Sequence, residues 1–216
     1  MSEKVLSRRQ VYLGQFIEVL DKVVQLPDDR FVHRDIVSYP GGAVCVVAVT
    51  DDKQIVLVRQ FRPAPEKILL EIPAGRRGIR EHFLTAAQRE LREETGYTAD
   101  SWKKCVDFWP SPGFVDERLT MFLARGLRKG SVHMDADEFI RPALIPAADI
   151  LERCRDGSIV DAKTLIGLLW YLTFESQKDA YSDDVLVPYC VSRCFCSAAL
   201  AEASAGYRHC IWLLRF

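Results

Sequence analysis

Three glutamates, Glu90, Glu93 and Glu94, stand at i, i+3 and i+4 in the run AAQRELREETGY. On a helix of 3.6 residues per turn, that spacing sets their carboxylates on one face within about one turn. Carboxylates so close repel one another unless a cation sits among them, and hard oxygen ligands of this kind suit Mg²⁺ or Mn²⁺. A divalent ion in that place calls for a partner with phosphate oxygens. Just before them, Ala74-Gly75-Arg76-Arg77-Gly78 is a flexible loop able to bring backbone groups close to an ion and basic side chains close to an anion. Taken alone, the glutamates also fit a solvated face of an amphipathic helix, which is what most charge runs are.

The spacing separates these readings. Gly75 is followed after five residues by Glu81, after seven more by Arg89-Glu90, and then by Glu93, Glu94 and Gly96 at fixed offsets. Such a set arises by chance at on the order of 10⁻⁹ per starting position, given average residue usage. The stretch from Ala74 to Tyr97 resembles the signature of the Nudix hydrolases, enzymes that split a nucleoside diphosphate linked to some other group, and all its fixed positions match. The resemblance implies that Glu90, Glu94 and the carbonyl of Ala74 hold Mg²⁺, with Mn²⁺ as a substitute. Gly75, Glu81, Arg89 and Gly96 would then be structural parts of the motif.

The elements that must position these groups can also be read. Phe83 to Thr95 holds no proline or glycine and is rich in helix formers, so the spacing predicts a helix that stops at Gly96 and packs through Leu84, Ala87 and Leu91. AVCVVAV reads as a strand buried on both faces, and QIVLVRQF as its return after the turn Asp51-Asp52. LLEIPAG leads into the loop, and KCVDFWP, RLTMFLAR and FIRPALI are further strands. Pro146 opens a short helix, AADILERCR, and Asp161 caps AKTLIGLLWYLTF, whose Leu165, Leu168, Leu169 and Leu172 form a core-facing stripe. Strands interleaved with helices place the chain in the α/β class, as a Nudix-type α/β/α sandwich around a mixed β-sheet. Residues 1–40 form a β arm with two extended segments joined at Pro27-Asp28-Asp29, 41–175 the catalytic domain, and 176–216 a cysteine-containing tail without an assigned role. Cys190, Cys194, Cys196 and Cys210 do not match a familiar zinc spacing.

Within the family, Pro112 lies 16 residues after Gly96 in a Ser-Pro-Gly segment, which is similar to the mark of the ADP-ribose pyrophosphatases. That resemblance implies that Arg62 and Pro112 bind substrate, Arg62 through a phosphate, and that Glu117 meets a ribose hydroxyl. Glu138 would be the catalytic base, with Asp135 and Asp137 as substitutes, Glu93 as the rival within the signature, and Ala136 standing where some relatives carry an important residue. The arm would form a homodimer and hold the purine, with Tyr12, Phe16, Phe31 and Tyr39 as candidates for stacking on a base and ordinary packing as their alternative. The expected reaction is Mg²⁺-dependent hydrolysis of ADP-ribose to AMP and ribose 5-phosphate. Another nucleoside diphosphate sugar or a dinucleotide is the nearer rival substrate, and a non-catalytic nucleotide sensor the more distant rival.

Composition narrows the partners. A net charge of -1 over 216 residues, with no long basic run, argues against nucleic acid. No stretch is apolar enough to serve as a signal peptide or to span a bilayer, so no membrane is expected. Seven cysteines, with Cys45, Cys105 and Cys154 widely scattered, suit a reducing cytoplasm better than a disulfide framework.

Overall fold

The computed structural model describes residues 2–130 and 139–176. In chain order the elements are β1 (Lys4–Leu13), β2 (Glu18–Gln25), β3 (Phe31–Ser38), β4 (Ala43–Val49), β5 (Gln54–Arg62), β6 (Lys67–Glu71), β7 (Ala74–Arg76), α1 (Phe83–Thr95), β8 (Tyr97–Phe108), β9 (Leu119–Lys129), β10 (Arg141–Pro146), a 3₁₀ turn (Ala147–Asp149), α2 (Ile150–Arg155) and α3 (Ala162–Phe174).

Every residue of β4 is buried, as its unbroken apolar run requires. Successive side chains on a strand point to opposite faces, so β4 feeds two cores. Cys45, Val47 and Val49 pack with Ile55, Leu57, Ile150, Leu168 and Tyr171 on the α2/α3 side. Val44, Val46 and Ala48 pack with Ala86, Ala87 and Leu91 of α1 on the other. The result is the α/β/α sandwich expected, built on a sheet of order β10-β5-β4-β9-β8 with β6 paired to β5 and β7 to β4. The sheet is mixed: β4 and β9 run parallel, while β5 and β8 pair antiparallel with their neighbours.

Two features of this sheet make the site. β4 and β5 pair only at Ala48↔Val56 and Val49↔Ile55. Beyond that point they part, β5 taking β6 as its partner and β4 taking β7, and the sheet opens.

The arm differs from expectation by one strand. A three-stranded antiparallel sheet, β1-β2-β3, replaces the two segments read from the sequence. β1 has register shifts at Val5/Ser7 and Gln10/Tyr12, and these break the alternation by which a strand is recognised. The sheet is tied to the loop before β9: Val37 bridges Val115, and Asp116 accepts hydrogen bonds from Ser38 Oγ at 2.9 Å and the Tyr39 amide at 2.8 Å.

The buried faces of both long helices are turned relative to the predicted ones, although Leu91, Leu168, Leu165 and Leu172 pack as expected. Leu84 is exposed and Ala86 is buried in its place. On α3 the buried residues are Thr164, Gly167, Leu168 and Tyr171, whereas Leu169 is exposed. A Cβ on Gly167 would lie 3.0 Å from Ile72 and Val47 side chains and 3.2 Å from Met121 Sδ, so the helix sits as close to the sheet as its backbone allows. Hydrophobicity favoured the leucines; at the points of closest approach Ala86 and Gly167 take their place.

Candidate functional site

α1 ends at Gly96, which takes the left-handed conformation (φ 74°) and donates its amide to Arg92 O. Its apolar side is fixed on the sheet by Ala86, Ala87 and Leu91, so Glu90, Glu93 and Glu94 are delivered to the opening between β4 and β5. There β7 lies along β4 in the register Cys45↔Ala74, Val44↔Gly75 and Ala43↔Arg76. The bare α-carbon of Gly75 is what admits Glu90: a Cβ at that position would overlap the Glu90 carboxyl carbon and both its oxygens. Glu94, 3% exposed, accepts the Ala74 amide at 3.1 Å.

Arg89 joins the motif. Its Nε and Nη2 donate to the two oxygens of Glu81 at 3.0 and 3.1 Å, Nη2 also to Arg76 O at 2.9 Å, and Nη1 to Glu90 at 2.7 Å and Glu93 at 2.9 Å. Bonding to Glu81, followed by the charge of Glu90 and the bonds to Glu93 and Glu90, raises the Arg89 pKa against the opposing effect of partial burial. Glu81 is pulled below its ordinary value, chiefly by the same bond, and it accepts the Gly78 amide at 2.9 Å. Arg77 closes the loop onto Gly41 O at 2.7 Å and Glu81 O at 2.8 Å, with its guanidinium 4.6 Å from the Phe83 ring centroid. The four motif residues expected to be structural therefore all have visible contacts.

The facing wall is an ion-pair network. Glu71, 1% exposed, receives Arg62 Nε and Nη2 at 2.7 Å each and is also bonded by the Lys163 ammonium, which reaches Asp161 at 3.0 Å. Burial alone would raise the Glu71 pKa, but Arg62 and Lys163 together hold it below the usual carboxylate value. Asp161 also caps α3, accepting the Thr164 amide at 3.0 Å, and Thr164 Oγ1 accepts the Ile72 amide at 2.9 Å. Sequence reasoning assigns no site role to Glu71 or Lys163. The available signal was a lone acid in the apolar strand LLEIP, since a charge buried there needs a cationic partner.

Between these walls lies a cavity of about 1030 Å³. Ala74, Gly75, Glu90, Glu93, Glu94, Arg62 and Glu117 all line it. Burial raises the Glu117 pKa, partly offset by Lys163. Phe16 also lines the cavity, with the Arg76 guanidinium 3.6 Å from its ring centroid, as does Tyr39, whose phenol is raised foremost by burial. Pro112 does not: it lies in a smaller depression with Trp109 and Asp116, and Pro110 reaches the cavity instead. Glu138, Asp135 and Asp137 lie outside the described residues.

Among the described residues no three His, Cys, Asp or Glu side chains are already drawn together as a metal cage. The Arg89 guanidinium supplies part of the positive charge between Glu90 and Glu93. The donor set nevertheless fits a hard divalent ion, with the glutamates and Ala74 on one cavity wall and no side chain on Gly75 to crowd it. No helix among the described residues is long and apolar enough to cross a membrane.

The profile of the NUDIX domain matches residues 40–165. ADP-ribose pyrophosphatase of Bacillus subtilis (strain 168) is 39% identical over 166 residues, covering 76% of this chain and 89% of that protein. The methanol dehydrogenase activator of Bacillus methanolicus is 35% identical over 178 residues, covering 82% and 96%. Among solved structures, an ADP compounds hydrolase superposes with a TM-score of 0.74 over 82% of this chain and 96% of that one; at 19% identity this shows the shared fold.

Proposed function

This chain belongs to the NUDIX family, and we propose that it is a Mg²⁺-dependent hydrolase that cleaves ADP-ribose to AMP and ribose 5-phosphate. The observation that carries the reading is the convergence on one cavity of the glutamate face of α1, the Gly75 loop and the basic wall of Arg62 and Lys163. The substrate follows the relative named an ADP-ribose pyrophosphatase.

Glu90, Glu94 and the Ala74 carbonyl would hold the cation. When bound, it supplies charge neutralisation of the diphosphate and a more acidic attacking water. Arg62 directs Nε and one Nη2 proton at Glu71, which leaves Nη1 and the second Nη2 proton for a phosphate oxygen. Glu138 orients or deprotonates the water, with Glu93 able to share that duty from the cavity wall and Asp135 and Asp137 as substitutes. The water oxygen adds to one phosphorus, its proton passes to the base, and the bridging P–O bond breaks. Glu117 accepts from a ribose hydroxyl. Pro112 acts from outside the cavity lining by stiffening the loop that carries Glu117.

Residues 1–40 form the arm that dimerises the chain and contacts the purine through Phe16, and the protein works in the cytoplasm without nucleic acid or membrane partners. Replacing Glu94 by Gln lowers ADP-ribose turnover by about 100-fold or more with the fold retained, and chelation by EDTA silences the wild type until Mg²⁺ is restored. Near-normal hydrolysis by Glu94→Gln, with products resolved by chromatography, refutes the metal assignment. The relative named a dehydrogenase activator favours a second reading, in which the fold binds a nucleotide and acts on a partner protein. Tight binding of ADP-ribose and Mg²⁺ without phosphate-bond cleavage marks that case.

A further inference from the structure

Glu71 ends β6 and is 1% exposed, and it is not among the residues that line the cavity. Two strands and a helix meet at its carboxylate. Arg62 pairs with Lys67 at the opposite end of β6, while Glu71 faces Val58, so the Arg62 side chain has to lie back along the sheet to bring Nε and Nη2 within 2.7 Å of the carboxylate. Lys163, the second residue of α3, bonds the same carboxylate and reaches Asp161 at 3.0 Å. The start of that helix is fixed in turn, since Asp161 accepts the Thr164 amide and Thr164 Oγ1 accepts the amide of Ile72, next to Glu71. Both cations line the cavity. An arginine at a strand end and a lysine in a first helical turn ordinarily range over many rotamers; here one buried carboxylate holds the two.

We propose that Glu71 is a positioning residue for diphosphate binding, holding Arg62 and Lys163 where both donate to phosphate oxygens of a nucleoside diphosphate sugar in this cavity. The assignment rests on the function proposed above and adds to it the residue through which the two cations act together. Donors remain for this purpose: Nη1 and the second Nη2 proton of Arg62, and one of the three ammonium protons of Lys163. Charge alone argues against a carboxylate here. The wall pairs two cations, Arg62 and Lys163, with two carboxylates, Glu71 and Asp161, so its formal charges cancel. A further negative charge beside a bound diphosphate repels it. What Glu71 contributes against that repulsion is geometry: the cations are already ordered when the ligand arrives, and less freedom is lost on binding.

The test uses the full chain with Mg²⁺ and two substitutions. Glu71→Gln keeps the shape and removes the charge; Glu71→Asp keeps the charge and withdraws it by one methylene. A glutamine turns an N–H donor towards one of the two cations and releases it, so KM for ADP-ribose rises about tenfold, the size of one charged hydrogen bond lost, while kcat changes less. Inhibition by inorganic pyrophosphate weakens by the same factor, because the lost grip is on phosphate. Glu71→Asp also raises KM, and it decides alone should Glu71→Gln fail to fold. Assays are run well below each variant's thermal midpoint. A lower midpoint with an unchanged KM means that Glu71 only supports the fold, and overturns the proposal. A lower KM for Glu71→Gln overturns it as well, since charge then outweighs position. So does a raised KM with pyrophosphate inhibition unchanged, which places the effect away from the diphosphate. If the wild type hydrolyses no ADP-ribose, the functional reading fails separately, and the same comparison is read from calorimetric Kd values for ADP-ribose and pyrophosphate.

Discussion

Glu90 occupies space that any side chain on residue 75 would fill, so one absent methyl group decides whether the helix and the loop can meet. Gly75→Ala is expected to push the carboxyl aside by an ångström or more. Displacements of that size at a reacting centre cost about 100-fold in rate, so kcat/KM for ADP-ribose falls by about that factor while the far-ultraviolet circular dichroism of the fold persists. A variant with wild-type kinetics would show that Glu90 need not rest on the loop. The same neighbourhood eases the repulsion between Glu90 and Glu93. Arg89 is bonded to both Glu90 and Glu93, and Glu81 fixes the guanidinium from its other edge. Arginine suits this hub because its planar fork makes several bonds at once and stays charged. Across the cavity, Glu71 does the reverse: one buried acid orients two cations.

Among the elements, α1 and α3 sit on opposite faces of β4, and Ala86 and Ala87 on α1 and Gly167 on α3 allow the close approach. On α3 the consequence is testable. Gly167→Val gains helix propensity relative to glycine, but it places a branched side chain against Ile72, Val47 and Met121, where even a Cβ is tight. Overpacking of this kind costs about 1–3 kcal/mol, and we expect about 2 kcal/mol of lost stability in urea titration, with an unchanged m-value. Equal or greater stability would mean that the helix can move off the sheet without penalty. The strands β4 and β5 were each legible from their apolar runs. Their early parting was not, because a strand's pattern records its burial and not its partner. That parting opens the cavity and sets Arg62 on its lining.

At the scale of the molecule, the outer strand of the arm stands open along its length. All ten residues of β1 are exposed, among them Val5, Leu6, Val11, Tyr12 and Leu13, the last at 70%. A long edge strand with apolar side chains is a surface that another chain pairs with or covers. The homodimer proposed above would use this edge, and light scattering is then expected to give twice the 24.6 kDa chain mass. The double substitution Val11→Asp with Leu13→Asp shifts the protein to monomer. A wild-type monomer at micromolar concentration would remove the arm from the assembly argument.

What the sequence determined by itself is local. The helical period aligned Glu90, Glu93 and Glu94, the stop at Gly96 was written in one residue, and the buried run of β4 followed from composition alone. These rest on interactions between residues a few positions apart, which periodicity encodes. What the tertiary structure decided joins residues distant in the chain: Lys163 to Glu71 across 92 positions, and Ser38 to Asp116 across 78. It also left Pro112 outside the cavity lining and brought Pro110 into it. Such pairings depend on which strands become neighbours, and the chain's local pattern does not carry that information. The cation between the glutamates shows the division plainly: their spacing demanded positive charge, and only the folded loop showed that Arg89 supplies part of it.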